Sequence, residues 1–191
     1  MRHRGLAGIW AVLLCTAAFA GCSTPDEKSP ATPPPDYEEY EAEWLGASFY
    51  QPTGAGVAEY PEYGRSGVFA PDNTWTIYLT RVDHTNAANV APFFTYTFGM
   101  RPQDLLGQLQ EFGSLGEISA EDIVFVESRS GEAAYVRLDP TVTGFNWVGA
   151  AGSPTRLIMV TGSTKTGGEE GLEEAFLITL RSIRIQENGE E

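Results

Sequence analysis

The chain has 191 residues, with 26 Asp and Glu against 12 Lys and Arg and a formal net charge of −14. Phosphate contacts and docking on anionic headgroups both need Lys and Arg, so this balance argues against a nucleic-acid partner and against a basic membrane patch. Only two cysteines and two histidines are available, which narrows thiolate and imidazole chemistry before any motif is read.

Arg2 and Arg4 open the chain. An uncharged stretch rich in Leu, Ala and Val follows from Gly5 to Gly21, and Phe19-Ala20-Gly21-Cys22 closes it. A charged start, an apolar middle and small residues before a cut describe a secretory signal over residues 1–21. The uncharged run of 17 residues is shorter than the ~20 mainly apolar residues of a membrane span. Small residues followed by Cys resemble a bacterial lipobox, with Phe19 where Leu is commoner. An ordinary secreted protein with a cysteine near its cut is the plainer alternative. The resemblance implies that Cys22 carries acyl chains and becomes the first mature residue. It places the chain in the cell envelope, facing the periplasm or the exterior, and on the outer membrane where a bacterium has one. Acyl burial is worth ~0.8 kcal/mol per CH₂, and stable attachment needs more than one chain. Loss of the signal removes two of the 12 Lys and Arg and no acid, which leaves ten cations against 26 acids. Cys15 goes with the signal and Cys22 is taken by lipid, so the mature chain is expected to lack disulfides and a Cys nucleophile.

Residues 22–43 read as a tether: five prolines and seven acids lie within residues 23–43, and Pro33-Pro34-Pro35 favours an extended helix. At ~3.1 Å per residue its upper reach is roughly 65 Å. The acid run Asp36–Glu43 lacks the ligand spacing and turn glycine of a Ca²⁺ loop. One domain over residues 44–187 and an acidic tail over 188–191 complete the chain.

Within the domain, Thr74–Val82 alternates, with Trp75, Ile77 and Leu79 on one face of a predicted strand. Phe94, Tyr96 and Phe98 alternate in the same way. Pro102 and Asp104 suit a helix start, Leu105, Leu106, Leu109 and Phe112 form its apolar stripe, and Gly113 stops it. Ile123-Val124-Phe125-Val126 is apolar on both faces, which predicts a buried central strand. Ser130-Gly131 then turns the chain into the alternating Ala134, Val136 and Leu138, so this pair reads as a hairpin. Arg156–Thr161 is a further strand. A second helix begins at Glu169, with Leu172, Phe176, Leu177, Leu180 and Ile183 facing the core. Two helices set apart among strands define an α+β class, with a mainly antiparallel sheet flanked by helices.

The closing segment Phe176-Leu177-Ile178-Thr179-Leu180-Arg181-Ser182-Ile183-Arg184 resembles the end of the PsbP-like fold family, as does the hairpin around Gly131-Glu132-Ala133-Ala134-Tyr135-Val136. The resemblance covers about residues 47–186. That family includes extrinsic photosystem II subunits, Ran-binding import factors and many bacterial lipoproteins. It implies binding or assistance in assembly, with no shared catalytic residues.

Catalytic patterns are sparse. His84 is the only histidine outside the signal, and the adjacent strand residues Asp83 and His84 point to opposite faces, so they do not make a triad pair. Gly64-Arg65-Ser66-Gly67 has the wrong spacing for a nucleophile elbow, and Ser66 is expected in a turn. Gly162–Gly168 lacks the Gly-Lys-Ser/Thr of a P-loop and leads into Glu169 and Glu170, so it reads as a flexible connection. Glu111, Glu117, Glu121 and Asp122 read as a charged loop. No metal set and no cofactor are expected.

Phe145, Asn146 and Trp147, between Gly144 and Gly149, are the candidate partner or ligand surface: an exposed Trp147 beside Asn146 could stack on a sugar ring or anchor a partner. The alternative is a strand whose Trp covers the sheet. Tyr50, Tyr60 and Tyr63 are candidates for the same surface. The expected function is a lipid-anchored, non-catalytic binding or assembly module for an envelope protein partner. Small-ligand or glycan binding is the alternative, followed by an acidic hydrolase using a carboxylate pair.

Overall fold

Leu157-Ile158-Met159-Val160 is an unbroken apolar run, and the structure shows why: the strand that holds it is covered on both faces. Leu157 and Met159 face one hydrophobic cluster, Ile158 and Val160 the other. The computed structural model describes residues 29–83, 99–111, 116, 118–153, 156–165 and 169–186.

Ten strands and three α-helices follow one another along these residues. They are β1 (Tyr37–Ala42), β2 (Ala47–Pro52), β3 (Gly56–Tyr60), β4 (Arg65–Phe69), β5 (Trp75–Val82), α1 (Pro102–Glu111), β6 (Val124–Ser128), β7 (Gly131–Arg137), α2 (Pro140–Thr143), β8 (Trp147–Ser153), β9 (Arg156–Thr164), α3 (Glu169–Ser182) and β10 (Arg184–Ile185). Seven strands form an antiparallel sheet in the order β3-β4-β5-β9-β8-β7-β6, and β1-β2-β10 form a smaller one. This is the expected α+β class with a mainly antiparallel sheet flanked by helices.

α3 lies across one face of the large sheet and against β2. Its Leu172, Phe176 and Leu180 meet Ile77, Leu79, Ile158 and Val160 in the main core, with Phe49 from the small sheet and Leu45 from the turn between β1 and β2. α1 covers the opposite face at β7 and β8, placing Leu105, Leu106 and Leu109 on Ala134, Val136, Val148 and Ala150. Burial of each such Leu or Phe contributes about 1.5–3 kcal/mol.

Four expectations are corrected. The tether does not run to residue 43: Tyr37–Ala42 is β1, paired with β2 from Tyr37↔Pro52 to Ala42↔Ala47. The acids there are held on the outside while Tyr40 packs on Phe49 at 5.6 Å and Ala42 is buried, so the aromatics interleaved with the glutamates give the segment enough to pair. Contact begins earlier still, where Ser29 Oγ donates to the Arg181 carbonyl at 2.6 Å and Tyr50 Oη to the Ala31 carbonyl at 3.0 Å. Second, β6 is not central but ends the large sheet, with Val124 and Phe125 exposed. The pairing of β5 with β9 takes the middle, and the hairpin places β6 beyond β7. Third, Ser66 is not in a turn: it is buried in β4 opposite Leu79. Fourth, Gly162-Ser163-Thr164 continues β9 instead of loosening into a connection, because Gly162 sits opposite Ile77 and Trp147.

Several expectations lie outside the described residues. They are the signal with Cys22, the front of the tether, His84, the alternating Phe94, Tyr96 and Phe98, the helix end at Phe112 and Gly113, Glu117, and the tail at 188–191. No helix among the described residues is long and apolar enough to cross a membrane.

Candidate functional site

The segment leading to Trp147 is shaped by a short helix. Asp139 caps α2 by accepting from the Thr141 amide at 2.9 Å, and Gly144 ends it in the left-handed region at φ 76°. That turn leaves Phe145 exposed at the surface and sends Asn146 and Trp147 inward. The Asn146 side-chain oxygen accepts from the Thr164 backbone N–H at 2.8 Å and the Thr164 hydroxyl at 3.1 Å, and the Asn146 backbone N–H donates to the Gly162 carbonyl at 2.8 Å. Asn146 therefore works as a latch between the start of β8 and the end of β9.

Trp147 is 6% exposed. It stands opposite Gly162 on one side and Arg137 on the other. The bare Gly162 leaves the space that α3 fills: a Cβ there would lie 3.1 Å from both Leu172 Cδ1 and Phe176 Cδ2. Phe176 stacks on the indole at 5.8 Å and 29°, Tyr135 approaches at 5.7 Å, and the Arg137 guanidinium lies 5.5 Å above the ring. Of the two readings of Trp147, an exposed platform or a strand residue that covers the sheet, the geometry is that of the second. Trp147 covers the sheet beneath α3, because its ring surface is worth more against Phe176 and Tyr135 than in water.

A cleft of about 300 Å³ remains beside it, lined by Arg137, Asn146, Trp147, Glu169 and Glu173. Arg137 reaches within 3.9 Å of Glu169 across its mouth, with both side chains largely exposed. Burial, helped by the charge of Glu173, holds the Tyr135 phenol above its ordinary pKa. Such a cleft offers carboxylate oxygens and a guanidinium to a small polar molecule, but little bare aromatic surface. Arg137 and Glu173 were not singled out from sequence, and Glu169 was read only as a helix start. Their signal was present in the strand spacing of Tyr135 and Arg137 and in the helical spacing of Glu169 and Glu173.

The other candidates scatter. Tyr50 is buried, where its phenol oxygen reaches the N-terminal segment and Arg129 lies 4.9 Å over its ring. Tyr63 is exposed on the far side of the sheet order, near β3 and β4. Asp83 is buried and paired with Arg81 at 3.0 Å. Asp122 closes a capping box, accepting from the Ser119 amide at 2.6 Å and the Ser119 hydroxyl at 3.0 Å, and these bonds pull its carboxyl below the usual range. Asp72, Asp104 and Asp139 are lowered in the same way by amides and side chains of their own turns. Among the described residues no three His, Cys, Asp or Glu side chains gather to hold a metal ion.

Two further large apolar side chains are exposed elsewhere, Phe125 the most exposed of those described. Val124 and Phe125 stand out on the terminal strand β6, whose residues Glu127 and Ser128 face Glu132 and Gly131 of β7.

No family model matches the chain, and no curated protein does. Among solved structures it is similar to the PsbP protein CyanoP of the cyanobacterium Synechocystis, at 11% identity and a TM-score of 0.47, over 82% of this chain and 96% of that one. It is also similar to a protein of Bacteroides thetaiotaomicron, at 13% identity and a TM-score of 0.45, over 82% of this chain and 51% of that one, so the chain spans about half the length of that protein.

Proposed function

We propose that this is a lipid-anchored envelope protein whose α+β domain, of PsbP-like fold, binds a protein partner or assists assembly without catalysis of its own. The observation that carries the reading is the order of Arg2 and Arg4, the apolar run to Gly21, and Cys22 directly after it. Acyl chains on Cys22 would hold the chain on the membrane, and residues 23–28 would link them to the folded part. The terminal helix running into the short β10, and the β6–β7 hairpin, are the features on which the family resemblance rests. Support for binding over chemistry comes from the acids, several of which serve as caps and turn anchors, and from apolar side chains left exposed at a sheet end. The cleft beside Trp147 is small and charged, so small-ligand or glycan binding draws less from it.

Replacing Cys22 with Ala is expected to abolish metabolic labelling by a fatty-acid probe and to release the chain from membranes. Labelling retained in that variant refutes the anchor.

A further inference from the structure

We propose that the outer side of β6 is a strand-addition site for an extended, basic segment of a protein partner. This deepens the binding reading above and rests on it.

β6 is the last strand of the large sheet, and among the described residues no strand lies beyond it. Such a strand presents unpaired backbone N–H and C=O groups, and native edges are usually blunted by Lys, Pro or a bulge. Val124-Phe125-Val126-Glu127-Ser128 contains no Lys and no Pro, and it pairs with β7 in unbroken register from Val124↔Tyr135 to Ser128↔Gly131. The opposite edge is different: β3 begins at Gly56 and runs straight into Pro61. At β6 the exposed apolar side chains fall on both faces of the sheet, with Phe125 63% exposed and Val124 43% exposed. Adjacent strand residues point to opposite faces, so one incoming strand would shield both, with its own alternate side chains flanking them.

Charge selects the occupant. Glu127 stands directly opposite Glu132, and like charges in that position destabilise a pair of strands. Glu121 and Asp122, both exposed, precede the strand. Arg129 pairs with Glu39 at 2.7 Å; Arg101 pairs with Asp104 at 3.3 Å, and its charge also acts on Glu132, which leaves Glu127 as the less compensated member of the pair. A segment alternating Lys or Arg with apolar residues would cover Val124 and Phe125 and neutralise the Glu127–Glu132 pair. A second copy of this chain would bring a second such pair, within a molecule of net charge −14, and is disfavoured.

The test uses the full chain in detergent micelles and a fluorescent peptide of about eight residues alternating Lys and Val. Fluorescence anisotropy is expected to show binding, and amide hydrogen exchange is expected to slow across Val124–Ser128. Phe125→Asp and Glu127→Lys are expected to weaken binding about tenfold or more, whereas Tyr63→Ser, at an exposed site away from β6, leaves it unchanged. Equal binding by Phe125→Asp, equal binding of a Glu–Val peptide, or exchange protection that misses β6 overturns the assignment. So does a concentration-dependent dimer of the full chain that Phe125→Asp abolishes, since the edge then belongs to a second copy. Photo-crosslinkers at positions 125 and 63, used in the native envelope, separate the two levels. Partner adducts at 63 with none at 125 overturn the edge alone, and adducts at neither position count against the binding reading itself.

Discussion

Two glycines of similar appearance in the sequence should respond to alanine in opposite directions. Gly149 lies in the middle of β8, opposite Tyr135 and Val160. A Cβ there would lie 2.9 Å from the Ala134 carbonyl oxygen, 3.0 Å from Tyr135 Cβ and 3.1 Å from Leu180 Cδ2. The first of these is backbone in the neighbouring strand and can yield only by disturbing the β7–β8 ladder. Overpacking of this kind costs about 1–3 kcal/mol, against an entropic gain of about 0.5–1 kcal/mol for leaving glycine. Gly107 lies within α1 with nothing inside 4 Å of its would-be Cβ. There only the gain remains, about 0.5–1 kcal/mol from helix propensity. Gly149→Ala should therefore destabilise by about 1–2 kcal/mol while Gly107→Ala stabilises, a separation of about 2 kcal/mol. In urea unfolding followed by tryptophan fluorescence, that corresponds to midpoints about 1 M apart. A Gly149→Ala variant as stable as the parent would refute the claim that β7, β8 and α3 close on that position without slack.

Two titrations test the N-terminal segment. Burial pushes the Tyr40 phenol up to about 12, with Glu59 adding a hydrogen bond and its charge, and burial with the charge of Glu174 does the same for Tyr37. Because these folded values exceed the ordinary 10.0, their contribution to stability is full below pH 10 and fades as pH rises towards 12. Tyrosinate absorbance should show both as late-titrating, with Tyr40→Phe removing one and Glu59→Gln bringing Tyr40 down; titration of both near 10 would mean β1 is solvated. Glu39 moves the other way: hydrogen bonds from Arg129 and then Ser48 hold its carboxyl below 4.5, so its contribution is present above that pH and is lost as pH falls through the folded value. Arg129→Met should flatten the acid limb of the stability profile, and an unchanged limb in that variant would contradict this account.

Much of the architecture was legible because periodicity reports burial. The Trp75, Ile77 and Leu79 alternation, the helix starts at Pro102 and Glu169, and the turn at Ser130-Gly131 all depend on neighbours close in sequence. The misreadings share another cause. Ile123–Val126 has the composition of a central strand, yet its place in the sheet follows from which strands pair, and β5 with β9 is a contact across some eighty residues. Asp36–Glu43 looks solvated by composition, and only the partner strand β2 and the Tyr40–Phe49 contact reveal that it folds. Trp147 shows the same limit, since the Gly162 gap that admits Phe176 over it lies fifteen residues away along the chain.

The sequence by itself determined the helices at Pro102 and Glu169, the strand at Trp75–Val82, the hairpin at Ser130-Gly131, the α+β class, the acid excess and the thiol-free composition expected beyond Cys22, because each is a property of local spacing or of counting. Tertiary structure alone decided that Asn146 and Trp147 serve packing, that Arg137, Glu169 and Glu173 share a cleft, and that Phe125 stands on the last of the described strands of the large sheet. The physical reason is that exposure belongs to the neighbours a residue acquires, and those neighbours arrive from distant parts of the chain.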